Sequence, residues 1–345
     1  MNKSKFLKIC RSTAIIFLII GIFMIRPSVM GAGVYLLPSN MMPVRLASTN
    51  LEDGLEPVDE LIGINDIIFK LEMEIAQEAN RPIPVTETEL YRLQDFDYLR
   101  TQFFISDRNT RLLPGDIDVD VAANADFTID ISCDGPRVLI FHTHSTEMFV
   151  DSDVDNPMDG VLGLGASLAK ILEEEYGIAT LHDTTRYDMP NDVPMRAGAY
   201  ERMEPYIRQI LRDNPTIEVV IDLHRDGIPE TMSPLVTYID DKRVARIMLV
   251  NGLSRRYNSD GELEAIDFLH NPFLRENLAF SFQLQLAANR KHPGFARRVY
   301  LKAFRYSLHL MPRTILLEVG AQNNTMEEAH NAIPHVAAIL ADVIL

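Results

Sequence analysis

The stretch Val138-Leu139-Ile140-Phe141-His142-Thr143-His144-Ser145-Thr146-Glu147 passes from an aliphatic and aromatic run straight into imidazole, hydroxyl and carboxylate groups. A short run of that kind reads as a buried parallel strand. A second run, Ile217-Glu218-Val219-Val220-Ile221, leads in the same way into Asp222-Leu223-His224-Arg225-Asp226. A third, Thr314-Ile315-Leu316-Leu317, ends in Glu318 with Gly320 close behind. In open α/β sheets, reacting groups gather beyond the carboxyl ends of the strands. Three polar ends on three apolar runs therefore predict one shared crevice.

Outward from these runs, strand and helix patterns alternate. Strand-like segments cover 137–142, 178–182, 217–223, 235–240, 245–250, 297–301 and 313–319, and helical periodicity covers 161–176, 196–213, 273–290 and 325–344. Gly177 is placed as a C-cap, and Thr325-Met326-Glu327-Glu328 is a capping-box pattern. The alternation predicts a three-layer α/β domain over 136–345, with a mostly parallel sheet and helices on both faces. The segment 251–272 reads as a long loop, the kind that serves as a lid or binding loop. Gly163-Leu164-Gly165 lacks a preceding strand and a third glycine, which argues against dinucleotide binding. The acidic stretch Asp151, Asp153, Asp155 and Asp159 lacks the glycine and distal glutamate of a calcium loop and reads as solvated.

Charge separates the N-terminus from the rest. The chain has 33 basic and 49 acidic residues; the first 51 positions hold six of the basic ones and no acid, leaving a net −22 beyond them. So acidic a body disfavours nucleic-acid partners, which require clustered Lys and Arg. Ahead of it, Lys3 to Arg11 precede an apolar run from Ser12 to Ile25, and apolar composition resumes from Ser28 to Pro38. Residues 1–38 are read as an uncleaved membrane anchor, with a cleaved signal segment as the alternative, and the remainder as extracytoplasmic by the positive-inside rule. Residues 39–135 read as a juxtamembrane linker and accessory region, with a short amphipathic helix around Ile64, Ile68, Leu71 and Ile75. Cys10 lies in the anchor and leaves Cys133 alone, so there is no internal disulfide framework.

The chemistry follows from residue types. His144 and Glu147 form an H-x-x-E unit that brings imidazole and carboxylate to one ion once the chain turns. His224 supplies a third ligand from another strand. That is the donor set of catalytic zinc, which takes three protein ligands and leaves a position for water. His142, two residues before His144, is the alternative first ligand, since both point the same way on an extended chain. Glu318 is placed to take a proton from water and deliver it to a leaving amine. Arg225 and Asp226 either orient the ligands or form an ion pair.

At these residues the sequence resembles the stage II sporulation protein P family. The resemblance rests on R-V-L-I-F-H-T-H-S-T-E (137–147), G-I-A-T-L-H-D (177–183), I-D-L-H-R-D (221–226), R-Y-S-L-H-L (305–310) and L-L-E-V-G-A-Q-N-N-T-M-E-E-A (316–329). Two positions depart from the family pattern: Ser307-Leu308 stands where Asn-Gln is expected, and Ala321 where a second glycine is usual. The resemblance implies a peptidoglycan hydrolase of forespore engulfment, similar to zinc-dependent N-acetylmuramoyl-L-alanine amidases, some members also cutting cross-links. It implies anchorage in the space between mother cell and forespore, beside stage II sporulation proteins D and M. Carried over by position, the family's essential histidines fall on His142-Thr143-His144 and on His224, and its glutamate on Glu318. The competing readings are a zinc carboxypeptidase or endopeptidase on wall peptides, and a non-catalytic wall-bound scaffold.

Overall fold

A computed structural model describes residues 87–345 of the chain. The expected anchor at 1–38 and the amphipathic helix around 64–75 lie outside the described residues. Within them, no helix is long and apolar enough to cross a membrane.

Eleven strands are described, in chain order β1 (Phe104–Ser106), β2 (Val138–Phe141), β3 (Thr180–His182), β4 (Val219–Asp226), β5 (Val236–Ile239) and β6 (Lys242–Ala245), then β7 (Ile247–Gly252), β8 (Arg255–Tyr257), β9 (Leu263–Ala265), β10 (Val299–Lys302) and β11 (Thr314–Ala321). Seven of them form one sheet in the order β1-β10-β7-β11-β4-β2-β3, while β5–β6 and β8–β9 are separate hairpins. Every neighbouring pair in the large sheet is parallel except β11 with β7, which is antiparallel. The sheet is thus two parallel blocks of opposite direction, and the expected mostly parallel architecture holds with that one seam. The segment expected as a long loop, 251–272, contains the β8–β9 hairpin instead.

The helices are α1 (Glu87–Leu93), α2 (Phe96–Gln102), α3 (Val119–Asn124), α4 (Val161–Tyr176), α5 (Ala199–Asp213), α6 (Leu274–Lys291) and α7 (Met326–Ile344). Side chains alternate across a strand, so each strand of the sheet serves two faces. Val138, Ile140, Val219, Ile221, Leu223, Ile315, Leu317 and Val319 belong to one large buried core with residues of α4, α6 and α7. In α4, Leu164, Leu168 and Leu172 recur at four-residue spacing and are fully buried, each contributing roughly 1.5–3 kcal/mol. Gly177 ends that helix at φ +67, the left-handed turn that glycine tolerates best. A capping box on Thr325 and Glu328 starts α7.

The opposite face is covered over only part of its width. There Leu139, Phe141 and Val220 pack against Met203 and Ile207 of α5. Further along the same face, Met248, Val250 and Leu316 meet only Tyr300 and Tyr306, and a groove lies over them.

Residues ahead of the expected boundary at 136 pack with the same sheet and core as those after it. Strand β1 extends the large sheet beside β10, and Leu93, Leu99, Phe103, Phe127 and Ile129 join the main core. Phe103 meets Phe282 at 5.3 Å and Phe127 meets Phe280 at 5.1 Å between ring centres. The polar, proline-rich composition of this region hid a three-residue strand too short to show periodicity.

Candidate active site

Strand β4 continues through Asp226, so Asp222-Leu223-His224 lies within the strand rather than beyond its end. Alternation then puts Val220, Asp222 and His224 on the groove face and Leu223 in the core. On the neighbouring strand β11, Glu318 sits directly beside His224 in register. The site therefore occupies the open half of a sheet face. It does not lie past the strand tips, where the apolar runs had pointed.

The segment after β2 turns sharply, and this separates the two histidines expected to point the same way. His142 continues the alternation of Ile140 towards α4. Its Nδ1 lies 2.8 Å from the Leu223 carbonyl oxygen and its Nε2 2.9 Å from His182 Nε2. The turn carries His144 to the other side, where its ring meets that of His224 edge-on at 5.4 Å. Two buried carboxylates hold this turn. Asp188 accepts hydrogen bonds from Ser145 Oγ at 2.5 Å, Thr146 N at 3.0 Å and Thr146 Oγ1 at 2.6 Å. Asp222 accepts from Thr143 N at 2.9 Å and Thr143 Oγ1 at 2.8 Å.

His224 is the centre of the arrangement. Its Nε2 lies 2.6 Å from Asp222 Oδ1 and its Nδ1 3.2 Å from Glu147 Oε2. Burial opposes a charge on His224, but Asp222 and then Glu147 outweigh it and hold the pKa well above 6.5. Burial likewise resists ionisation of Glu147, yet His224 and Arg196 keep it far below the usual carboxylate range. Arg196 donates to Glu147 Oε1 at 2.7 Å, and the backbone N–H of Arg225 donates to Oε2 at 3.0 Å. Glu318 behaves oppositely. Burial and the negative charges of Glu147, Asp226 and Asp222, against the pull of His224, push its pKa up to about 8.

Of the sequence-predicted residues, His144, Glu147, His224 and Glu318 line one groove of about 220 Å³, and His142 stands outside it. Arg225 and Asp226 also line the groove. The Arg225 guanidinium donates to the Met148 carbonyl, and Asp226 pairs with Arg297 at 2.6 Å. Sequence reasoning missed Asp222, Asp188, Arg196 and Tyr200. A signal existed for Asp222, two residues before His224 on one strand. Asp188 and Arg196 lie in the irregular segment before α5, where no periodicity marks them.

As drawn, no group of three or more His, Cys, Asp or Glu side chains among the described residues is arranged to hold a metal ion. Glu147 and Asp222 close on His224 instead. The chemistry of the donors nonetheless fits a zinc-type cation. His144 is neutral at physiological pH, because burial, then the positive charges of His224 and Arg196, bring its pKa down to about 4. Its Nδ1 is buried with no hydrogen-bond partner among the described residues, and Glu318 Oε2 is in the same condition. Buried polar atoms are nearly always satisfied, so two orphans beside two acidic groups mark a place built for a further partner.

A family model described as stage II sporulation protein P matches residues 73–341. Stage II sporulation protein P of Bacillus subtilis (strain 168) is 24% identical over 220 residues, covering 60% of this chain and 50% of that protein. The chain thus matches about half the length of that relative. Among solved structures, the N-acetylmuramoyl-L-alanine amidase AmiC2 of Nostoc punctiforme aligns with 61% of this chain and 94% of its own at 16% identity, TM-score 0.34. The CwlD amidase from Clostridioides difficile, solved with the GerS lipoprotein, aligns with 59% of this chain and 98% of its own at 12% identity, TM-score 0.32.

Proposed function

The chain belongs to the stage II sporulation protein P family, and on that premise we propose that it is a peptidoglycan hydrolase of sporulation that cleaves the amide between N-acetylmuramic acid and L-alanine. The observation that carries the reading is the unengaged Glu318 carboxyl beside His224 in an open groove.

His144, Glu147 and His224 would hold zinc, which when bound supplies Lewis acidity towards water and the amide carbonyl. The remaining work falls to groups of this chain. A cation held beside it would favour the ionised form of Glu318, which takes a proton from the attacking water at Oε2 and returns it to the departing nitrogen. Arg196 and the Arg225 N–H hold Glu147 ionised and oriented. Asp222 fixes the His224 ring, as partners of liganding histidines commonly do. Membrane anchorage through residues 1–38, an extracytoplasmic location, and action beside stage II sporulation proteins D and M belong to the same reading. They rest on the basic, apolar N-terminus and on the family.

Digestion of purified sacculi by the full chain, with mass spectrometry of the released material, tests the proposal. Intact stem peptides with free L-alanine amines are expected. Shortened peptides on uncut lactyl amides would make the protein a peptidase, and no release of any peptide would remove the hydrolase reading.

A further inference from the structure

Beyond the active-site groove lies a second and larger cavity of about 400 Å³. Tyr200 and Tyr306 line both spaces, with ring centres 5.5 Å apart. Tyr200 in turn stands edge-on to His144 at 5.5 Å, so the cavity begins one aromatic ring away from the candidate ligands.

Its rim carries Phe268, on the turn after β9, and Phe304, just past β10, which are 77% and 47% exposed. Apolar groups left in water and gathered at the edge of a groove mark binding surfaces. The backbone presenting them is pinned. A Cβ on Gly252 would stand 2.0 Å from the Phe304 carbonyl oxygen, so only glycine lets the chain cross there. Tyr306 is held at φ +51, a conformation unfavourable for a bulky aromatic residue unless its surroundings impose it.

Charged groups of the cavity gather around one carboxylate. Glu204 is 2.9 Å from Arg208 Nε, 3.5 Å from Arg305 Nη2 and 3.0 Å from His309 Nε2. Arg305 also donates to the His270 carbonyl. The adjoining groove carries more charge, with Arg196, Arg225 and Lys302 set beside Glu147, Asp226 and Glu318. A wall peptide carries free carboxylates and suits that groove. A glycan strand is a run of pyranose rings with apolar C–H faces and neutral hydroxyls, and it suits paired polar groups framed by aromatic rings.

We propose that this cavity is a glycan subsite, in which a pyranose ring stacks on Phe268 and Phe304 while the Glu204–Arg305 pair receives its hydroxyls. The proposal rests on the hydrolase reading of the adjoining groove, and its test can fail separately from that reading.

The test is calorimetric binding of glycan strands stripped of stem peptides, which contain no amide for the groove to cut, to the full chain. The wild type should bind them, Phe268→Ala/Phe304→Ala should weaken binding by about tenfold or more, and Phe268→Tyr/Phe304→Tyr should restore it. Equal affinity in the alanine double variant overturns the subsite, as does absence of binding by the wild type. A free stem peptide whose binding shows the same dependence on the two phenylalanines overturns the assignment of the ligand class. Peptide release from sacculi is read in parallel. Wild-type release without glycan binding discards the subsite and keeps the hydrolase, whereas glycan binding without release discards the hydrolase reading.

Discussion

Asp188 touches none of the proposed ligands, yet it decides which histidine reaches the groove. Its carboxylate accepts three hydrogen bonds from Ser145 and Thr146, on the turn that carries His144 away from the direction of His142. Burial raises its pKa, but those hydrogen bonds outweigh burial and leave it below the ordinary value. The sign follows from that depression. The stabilisation is fully present above the unfolded pKa of about 3.9 and is lost as pH falls through the lower folded value. Asp188→Asn is expected to cost roughly 1.5–3 kcal/mol at pH 7. Below pH 4 it should lose less further stability than the wild type. Urea midpoints measured across pH check both parts, and parallel acid profiles would show that Asp188 contributes nothing through its charge. The choice between His142 and His144 could not be read from spacing, because it depends on this carboxylate some forty residues away. Asp222 and Glu318 were legible in principle, since strand alternation alone places each on the face of His224.

At the level of elements, α4 shows why local propensity misleads beside a site. Gly165 lies inside the helix, where alanine would normally gain about 0.5–1 kcal/mol. A Cβ there would stand 2.5 Å from His142 Nε2 and 2.6 Å from His182 Nε2. His142 is fully buried and tied to the Leu223 carbonyl oxygen at 2.8 Å, so its ring cannot easily give way. Gly165→Ala is therefore expected to destabilise by about 1–3 kcal/mol, as read by urea denaturation, and a stabilised variant would refute the tight contact. The Gly163-Leu164-Gly165 pattern thus serves packing, since a Cβ on Gly163 would also meet the Met158 carbonyl oxygen at 2.0 Å. Helices with four-residue apolar spacing and recognisable ends were readable, as Leu164, Leu168, Leu172 and Gly177 show. Strand direction was not. The continuous apolar run Ile247–Val250 reads the same whichever way the strand runs, so the antiparallel seam between β7 and β11 carried no signal.

For the whole molecule, the consequence is that the catalytic half cannot be separated from the segment ahead of it. Residues 93–129 supply an edge strand and the aromatic contacts with Phe280 and Phe282. Each lost phenylalanine contact surface is worth roughly 1.5–3 kcal/mol, against a total stability of about 5–15 kcal/mol for an ordinary domain. A chain starting at Pro136 is expected to lose cooperative unfolding by circular dichroism, while one starting before Leu90 keeps it. Retention of a sharp transition in the shorter chain would restore the boundary at 136. The half-covered sheet face then has a purpose at this scale. Helix α5 shields Leu139, Phe141 and Val220 and reaches the groove of His224 and Glu318 only through Tyr200 at its first turn.

The proposed function requires Glu318 to move the proton in a metal-assisted cleavage at His144, Glu147 and His224. It is tested most directly by stem-peptide release from sacculi, comparing full-length wild type with Glu318→Gln at equal zinc content by elemental analysis. The expected result is about one zinc per chain in both proteins and a loss of roughly 10²–10⁴ in release rate in the variant. Release at the wild-type rate by the zinc-loaded variant would contradict the account.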